Sequence, residues 1–382
     1  MWPRASEARA VLIVGAAAFA SMYLLFSAGP VMVSEQLGSY GAGLLTTVFM
    51  LLTIAAQFAT PVGLSRVPPA GLLALSLLLL GVPSLAYMFE ADAWLMIVAA
   101  AFRGVGFGLM TIVCTVLVSH YAEPGRQGAA LGTYGLATSL TGIVAPGLGV
   151  FLFEEFSRVV TAGAAFVIPL IGLALLAPIR SASPHPLTGG GGSSDADLGR
   201  RWTLARFAPL VIFVPVAVTY GGSYTFLPLF SSLPALGLLM LGLGFAAGRV
   251  AGGRLVDSRR SASVVVPFAF VTALGIGLVA WWPHPLGAAL CGVVLGVGIG
   301  GTASASLAGM MASVPPARYG FVSTAWNLSF DLGIALGGLG LGLLIVPLGF
   351  AGGVSVLAGI IVVVTAVMAL PVGKLQRVET RG

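Results

Sequence analysis

Residues 104–128 read GVGFGLMTIVCTVLVSHYAEPGRQG, and residues 296–320 read GVGIGGTASASLAGMMASVPPARYG. The two stretches align without a gap at an offset of 192, residue 296 falling on residue 104. Each opens with G-V-G-x-G and closes, at the same interval, with P-x-R-x-G: Pro124, Arg126 and Gly128 in one, Pro316, Arg318 and Gly320 in the other. Seven of the 25 positions are identical. Glycine is common in this chain, with 54 residues, so the first motif alone says little; its fixed spacing to the second says more. At the same offset Arg9 falls on Arg201 and Ser65 on Asp257. With 382 residues in all, the chain reads as two like halves in tandem.

The composition says what kind of halves these are. Apolar residues make up 58% and charged residues 8%, and the mean hydropathy is +1.05. Soluble domains carry about 25% charged residues. So few charges exclude a water-soluble enzyme, a nucleic-acid-binding module and a disordered chain. The apolar runs do not alternate with polar residues, which argues against an outer-membrane barrel. The expected class is an all-α integral membrane protein.

A membrane-crossing helix needs about 20 mostly apolar residues. Twelve such stretches are read, near 10–33, 40–62, 70–89, 94–119, 127–152, 160–179, 207–230, 234–256, 263–282, 285–312, 319–346 and 349–371. The first is too long for the apolar part of a signal peptide, and a second span follows closely, so it is read as a retained helix. The stretch between spans 6 and 7 contains Gly189–Gly192 with serines and reads as a flexible linker. The expected bodies are therefore an N-terminal six-helix bundle (1–180), a cytoplasmic linker (181–206) and a C-terminal six-helix bundle (207–382). Six spans per repeat give both repeats the same orientation, as parallel repeats about the membrane normal require.

Basic residues set the orientation. With the N-terminus inside, fifteen of the 18 arginines and lysines fall in inner segments, and Arg158 alone in an outer loop. Arg103 and Arg249 lie within spans. Both termini are thus expected in the cytoplasm of a cell-membrane protein, and the net charge of +6 reflects topology rather than a nucleic-acid partner. Cys114 and Cys291 sit in separate spans, the three histidines are scattered, and no metal-ligand spacing occurs. The chain carries no Walker A sequence, so an ion gradient, not ATP, would drive any coupled movement.

Within the spans, charges are costly and are functional candidates by default. Asp331 is 12 residues into span 11, about 18 Å deep at 1.5 Å per residue. Asn327 lies one turn earlier on the same face. Asp331 is a candidate proton-coupling or cation-binding residue, or a structural partner for a buried cation. Arg103, nine residues past Trp94, is the other mid-depth charge: an anchor for an anionic substrate, a modulator of a coupling carboxylate, or half of a structural salt bridge. Glu35, at the outer end of span 1, reads as an entry acid or an exposed loop carboxylate. Tyr23, Ser27, Tyr220, Ser223 and Tyr224 place polar and aromatic groups on spans 1 and 7.

Three motifs resemble those of the major facilitator superfamily. The loop between spans 8 and 9, GGRLVDSRR (252–260), is similar to the family's G-x-L-x-D-R-x-G-R-R signature, and its counterpart PVGLSRVPP (61–69) keeps Arg66 but has Ser65 in place of the aspartate. FRGVGFGLM (102–110) is similar to the family's arginine-plus-glycines motif in span 4, with Arg103 about one turn later than usual. GIVAPGLG (142–149) is similar to the G-x-x-x-G-P-x-x-G motif of proton-coupled antiporters, with Ala145 replacing one glycine. The resemblance implies twelve transmembrane helices in two parallel-repeat bundles moving a substrate by alternating access. It makes Asp257, Arg254, Arg66, Arg126 and Arg318 candidates for a cytoplasmic gate, with Asp257 capping the inner end of span 5. It makes Gly142, Pro146 and Gly149 the antiporter motif, Tyr23, Tyr220, Tyr224, Asn327 and Arg103 candidate cavity residues, and Asp331 the coupling residue.

The activity so implied is proton-coupled efflux of a small hydrophobic or amphiphilic compound. An importer or facilitator of a polar or anionic metabolite is the alternative. A membrane-embedded enzyme or sensor is a remoter one, since no nucleophile–base cluster is evident. No cofactor is expected beyond the proton gradient, and the partners are a small-molecule substrate, protons and the lipid bilayer around a monomer.

Overall fold

The computed structural model describes residues 5–89, 92–123, 126–180, 204–259, 262–282, 285–314 and 318–379. Most of the linker expected at 181–206, together with His185, His284, Pro124 and Pro316, lies outside these residues. Among the described residues there are helices and no strands.

Two long helical stretches each contain one break. In Ala5–Leu64 the break is Gly38, at φ 60, and in Tyr319–Glu379 it is Gly349, at φ 69. Both glycines occupy the left-handed region that side-chain-bearing residues avoid. Each divides its stretch into two spans: α1 (5–37) and α2 (39–64), and α11 (319–348) and α12 (350–379). The expected loops at these points are thus reduced to single-residue breaks. Between them run α3 (Pro69–Gly81, continued as a 3-10 turn over Val82–Tyr87), α4 (Ala93–Tyr121), α5 (Gln127–Glu155) and α6 (Arg158–Ala174). These are followed by α7 (Leu204–Phe230), α8 (Pro234–Arg259), α9 (Val265–Trp281) and α10 (Pro285–Ala312). Among the described residues, a helix is therefore present for each of the twelve expected spans, as in an all-α membrane fold.

Local chemistry places the helix ends. The Asp92 carboxylate accepts from the Trp94 amide at 3.0 Å and the Ser157 hydroxyl from the Val160 amide at 3.3 Å, capping α4 and α6. Pro69, Pro234 and Pro285 stand at first helical positions, where a missing N–H is harmless. Pro83 offers no amide to the preceding turn, and α3 tightens there into its 3-10 segment. Helix α8 runs to Arg259, so Asp257 lies in its last turn rather than beyond its end.

The chain divides into two compact units, Met1–Gly190 and Gly191–Gly382. Each is built by the same contacts at the same offset. A Cβ on Gly104 would overlap the Phe49 carbonyl and one on Gly108 the Thr53 carbonyl; a Cβ on Gly296 would overlap the Leu241 carbonyl and one on Gly300 the Phe245 carbonyl. Gly106 meets the Leu80 amide as Gly298 meets the Thr272 amide. Every one of these pairs shifts by 192 positions onto its partner. The glycines let α4 lie directly on α2 and α3, and α10 on α8 and α9, as small residues do in membranes, where close van der Waals contact replaces the hydrophobic effect.

Candidate functional site

In the N-terminal unit, α4 carries Arg103 into the bundle interior, where it is 2% exposed. Its Nη1 donates to the Leu80 carbonyl at 2.5 Å and to the Ser84 hydroxyl, and its Nη2 donates to the Ser21 carbonyl at 2.9 Å. The guanidinium thus ties α4 to α3 and α1. The 3-10 turn matters here: it brings Ser84 round beneath Arg103, and Tyr87 anchors it by donating to the Met96 carbonyl at 2.8 Å. No ion pair to Arg103 occurs among the described residues. The sequence pointed to Arg103 but not to its acceptors, because a serine hydroxyl or a backbone carbonyl facing a buried charge leaves no mark in the sequence.

Helix α5 lies against α1 through its motif. A Cβ on Gly149 would overlap the Leu24 carbonyl, and one on Gly142 would come within 3.2 Å of the Tyr23 ring. The Pro146 carbonyl accepts from the Ser27 hydroxyl at 2.7 Å. The spacing 142, 146, 149 puts all three on one helical face, and each meets α1. Tyr23 is half-buried, its ring tilted 37° to that of Phe19 at 6.2 Å, while Ser27 is fully buried. At the end of α1, Glu35 pairs with Arg158 at 2.6 Å.

In the C-terminal unit, Asp331 is half-buried and Asn327 exposed on α11. The Asn327 amide donates to the Ser323 carbonyl at 2.8 Å. With exposed Thr324 and half-buried Ser323, these residues make one polar face from the start of α11 to Asp331. A carboxylate and an amide facing hydrocarbon at this depth would cost several kcal/mol (~2.5–3.5 or more for Asp); such a face suits an aqueous path.

Behind that face stands an aromatic stack that the sequence reading did not assemble. Phe213 stacks on Trp326 at 4.8 Å and 8°, and Phe330 stacks on both. Tyr220 adjoins Phe330 and Phe245 at 5.3 Å and Tyr224 at 4.6 Å. Tyr220 and Tyr224 are buried, and Trp326 donates to the Ser306 hydroxyl at 2.9 Å. These aromatics come from α7, α8 and α11, and which of their faces meet is a tertiary matter. Exposed Arg249 lies over the Phe245 ring at 5.8 Å.

Of the candidate gate residues, Arg66, Arg126, Arg254 and Asp257 are exposed and Arg318 is half-buried. Arg126 pairs with Glu123 at 3.3 Å at the start of α5. Asp257 and Arg254 share the last turns of α8.

The family model described as Major Facilitator Superfamily matches residues 11–338. Among curated proteins, none matches the sequence. Solved structures share the fold nearly end to end. A bacterial homologue of the human lysosomal transporter Spinster has a TM-score of 0.78 at 14% identity, covering 98% of both chains. A peptide transporter POT has 0.76 at 12%, covering 97% of this chain and 95% of its own. The nucleoside transporter NupG has 0.73 at 12%, covering 96% and 99%. Given the family pattern over that span and the glycine-mediated contacts repeated in its two halves, this chain belongs to the Major Facilitator Superfamily.

Proposed function

We propose that the chain is a proton-coupled secondary transporter that exports a small hydrophobic or amphiphilic compound by alternating access. The observation that carries the reading is Asp331, a half-buried acid deep in α11 at the head of a polar face formed with Asn327, Thr324 and Ser323. Intramembrane acids on water-facing surfaces are the usual proton carriers of pumps and transporters. The packing of Gly142, Pro146 and Gly149 onto α1 supports the antiporter resemblance by giving those three residues one shared surface. The aromatic stack behind the polar face supports an apolar or amphiphilic cargo. Arg103 spends its donors on acceptors inside its own bundle, which weighs against its anchoring an anionic substrate. The similar folds carry peptides in one case and nucleosides in another, so cargo does not follow from fold. The basic-residue asymmetry supports a cytoplasmic membrane location with both termini inside. The parts present in one chain support a monomer.

The test uses membrane vesicles with an imposed pH gradient and a compound chosen from a hypersensitivity screen of a deletion strain. Wild type should move the compound against protons. Asp331→Asn should abolish that coupled movement while sparing exchange. Coupled movement that survives Asp331→Asn overturns the reading.

A further inference from the structure

The packing of the C-terminal unit leaves Arg249 unexplained. The residue is exposed, although the helix around it, Pro234–Ser258, is long and apolar enough to cross a membrane. It stands about 15 Å from the Arg259 end of α8 at 1.5 Å per residue. An arginine facing hydrocarbon at that depth is costly, and its usual relief is to stretch toward the nearer interface. Here the guanidinium instead lies over the Phe245 ring at 5.8 Å, a residue one turn deeper in the span. Among the described residues it meets no carboxylate and donates no hydrogen bond. Its N–H donors are therefore open.

The ring beneath it belongs to a larger aromatic surface. Half-buried Phe245 adjoins buried Tyr220 of α7 at 5.3 Å, and Tyr220 adjoins half-buried Phe330 of α11 at the same distance. Phe330 stacks on Trp326, which is buried and donates to the Ser306 hydroxyl. The buried members hold the cluster in place, and the part-exposed edges of Phe245 and Phe330 face outward from it. An apolar surface with a fixed cation at its rim matches an amphiphile with an acidic end. The aromatic edges suit a flat apolar body, and the planar guanidinium fork suits a carboxylate or similar oxyacid, which accepts two parallel N–H···O bonds. A cationic amphiphile would be repelled at that rim, and a neutral one would leave the guanidinium unmatched.

The first unit provides an internal comparison. At an offset of 192, Phe245, Arg249 and Phe330 fall on Thr53, Gln57 and Thr138. The backbone contact is retained, Gly300 meeting the Phe245 carbonyl as Gly108 meets the Thr53 carbonyl. The close packing of these helices thus requires neither the rings nor the charge, and both serve something particular to the C-terminal unit.

We propose that Arg249 selects the charge of the cargo: the C-terminal unit binds a small aromatic or flat apolar compound bearing an acid group, its body on Phe245 and Phe330 and its oxyanion on the Arg249 guanidinium. This rests on the reading of the chain as a transporter of amphiphilic compounds and names the charge that such a compound carries.

The test uses the full-length chain in nanodiscs of phosphatidylcholine, a lipid without net charge, with empty nanodiscs as the blank. Equilibrium dialysis at neutral pH follows three probes with one aromatic body: naphthoate, naphthamide and naphthylmethylammonium. Naphthoate should bind saturably and at least about tenfold tighter than naphthamide, the gain from hydrogen bonds between charged groups. Naphthylmethylammonium should bind weakest. Arg249→Gln should bring the naphthoate affinity down to that of naphthamide, and Arg249→Lys should recover part of the preference, since it returns the charge without the fork. Should Arg249→Gln not fold, the ranking of the three probes on the wild type decides. Equal binding of naphthoate and naphthamide, tightest binding of naphthylmethylammonium, or no saturable binding of naphthoate each overturns the proposal, as does a naphthoate affinity that Arg249→Gln leaves unchanged. The dialysis uses no pH gradient and no Asp331 variant. Failure here therefore leaves the proton-coupling reading standing, and failure of coupling leaves the binding preference standing.

Discussion

The Arg103 guanidinium reaches the Ser21 carbonyl at 2.9 Å, bridging α4 to α1 across 82 positions of sequence. The same side chain holds the Leu80 carbonyl and the Ser84 hydroxyl of α3. Three helices of one bundle therefore meet at one buried charge.

Removing that charge should loosen the whole junction. Arg103→Ala takes the donor from three buried oxygens, and at roughly 1–3 kcal/mol each the expected loss is about 3–9 kcal/mol. Arg103→Lys should recover little of it, because an ammonium cannot span the acceptors that a guanidinium fork reaches. Thermal unfolding in detergent checks both variants, and an unchanged midpoint for Arg103→Ala would show that the junction holds without it.

Two glycines on α5 should respond with opposite signs. A Cβ on Gly149 would overlap the Leu24 carbonyl, whereas nothing lies within 4 Å of one on Gly135. Gly149→Ala should cost about 1–3 kcal/mol through overpacking and reduce transport. Gly135→Ala should be neutral or stabilising by up to ~1 kcal/mol, because alanine is the better helix former. Melting both variants side by side tests the asymmetry.

Asp257 occupies the last turn of α8, where the helix dipole disfavours an exposed acid by about 0.3–1 kcal/mol. Asp257→Asn should therefore leave stability unchanged or slightly improved. If the residue latches the side proposed as cytoplasmic, the same variant should lower transport and speed thiol labelling of a cysteine placed on that side of the protein. Unaltered labelling together with unaltered transport would end the latch assignment.

The Glu35–Arg158 pair joins the end of α1 to the start of α6 at 2.6 Å, with Glu35 about half exposed. Exposed pairs contribute about 0.2–1 kcal/mol. A double-mutant cycle with Glu35→Gln and Arg158→Gln should return a coupling in that range, shrinking in molar salt as screening takes hold. A coupling that persists in high salt would mean that the pair is shielded from solvent in the membrane-embedded protein.

Sequence alone was enough to read the twelve spans, the tandem repeat and the family. Each rests on a one-dimensional pattern: apolar runs long enough to cross hydrocarbon, a constant offset, and glycines at fixed intervals. It also singled out Arg103 and Asp331, because a charge within such a run is conspicuous whatever it contacts. Tertiary structure decided what those charges face. Arg103 turned inward because the 3-10 turn at Pro83 brings Ser84 and Tyr87 beneath it and α1 offers the Ser21 carbonyl from the other side. Asp331 lies on a polar face because Thr324 and Asn327 precede it along one side of α11, while Trp326 on another side packs against Phe213 of α7. The aromatic stack could not be assembled from the sequence, since it is made by side chains from several helices whose rotation about their axes only packing determines.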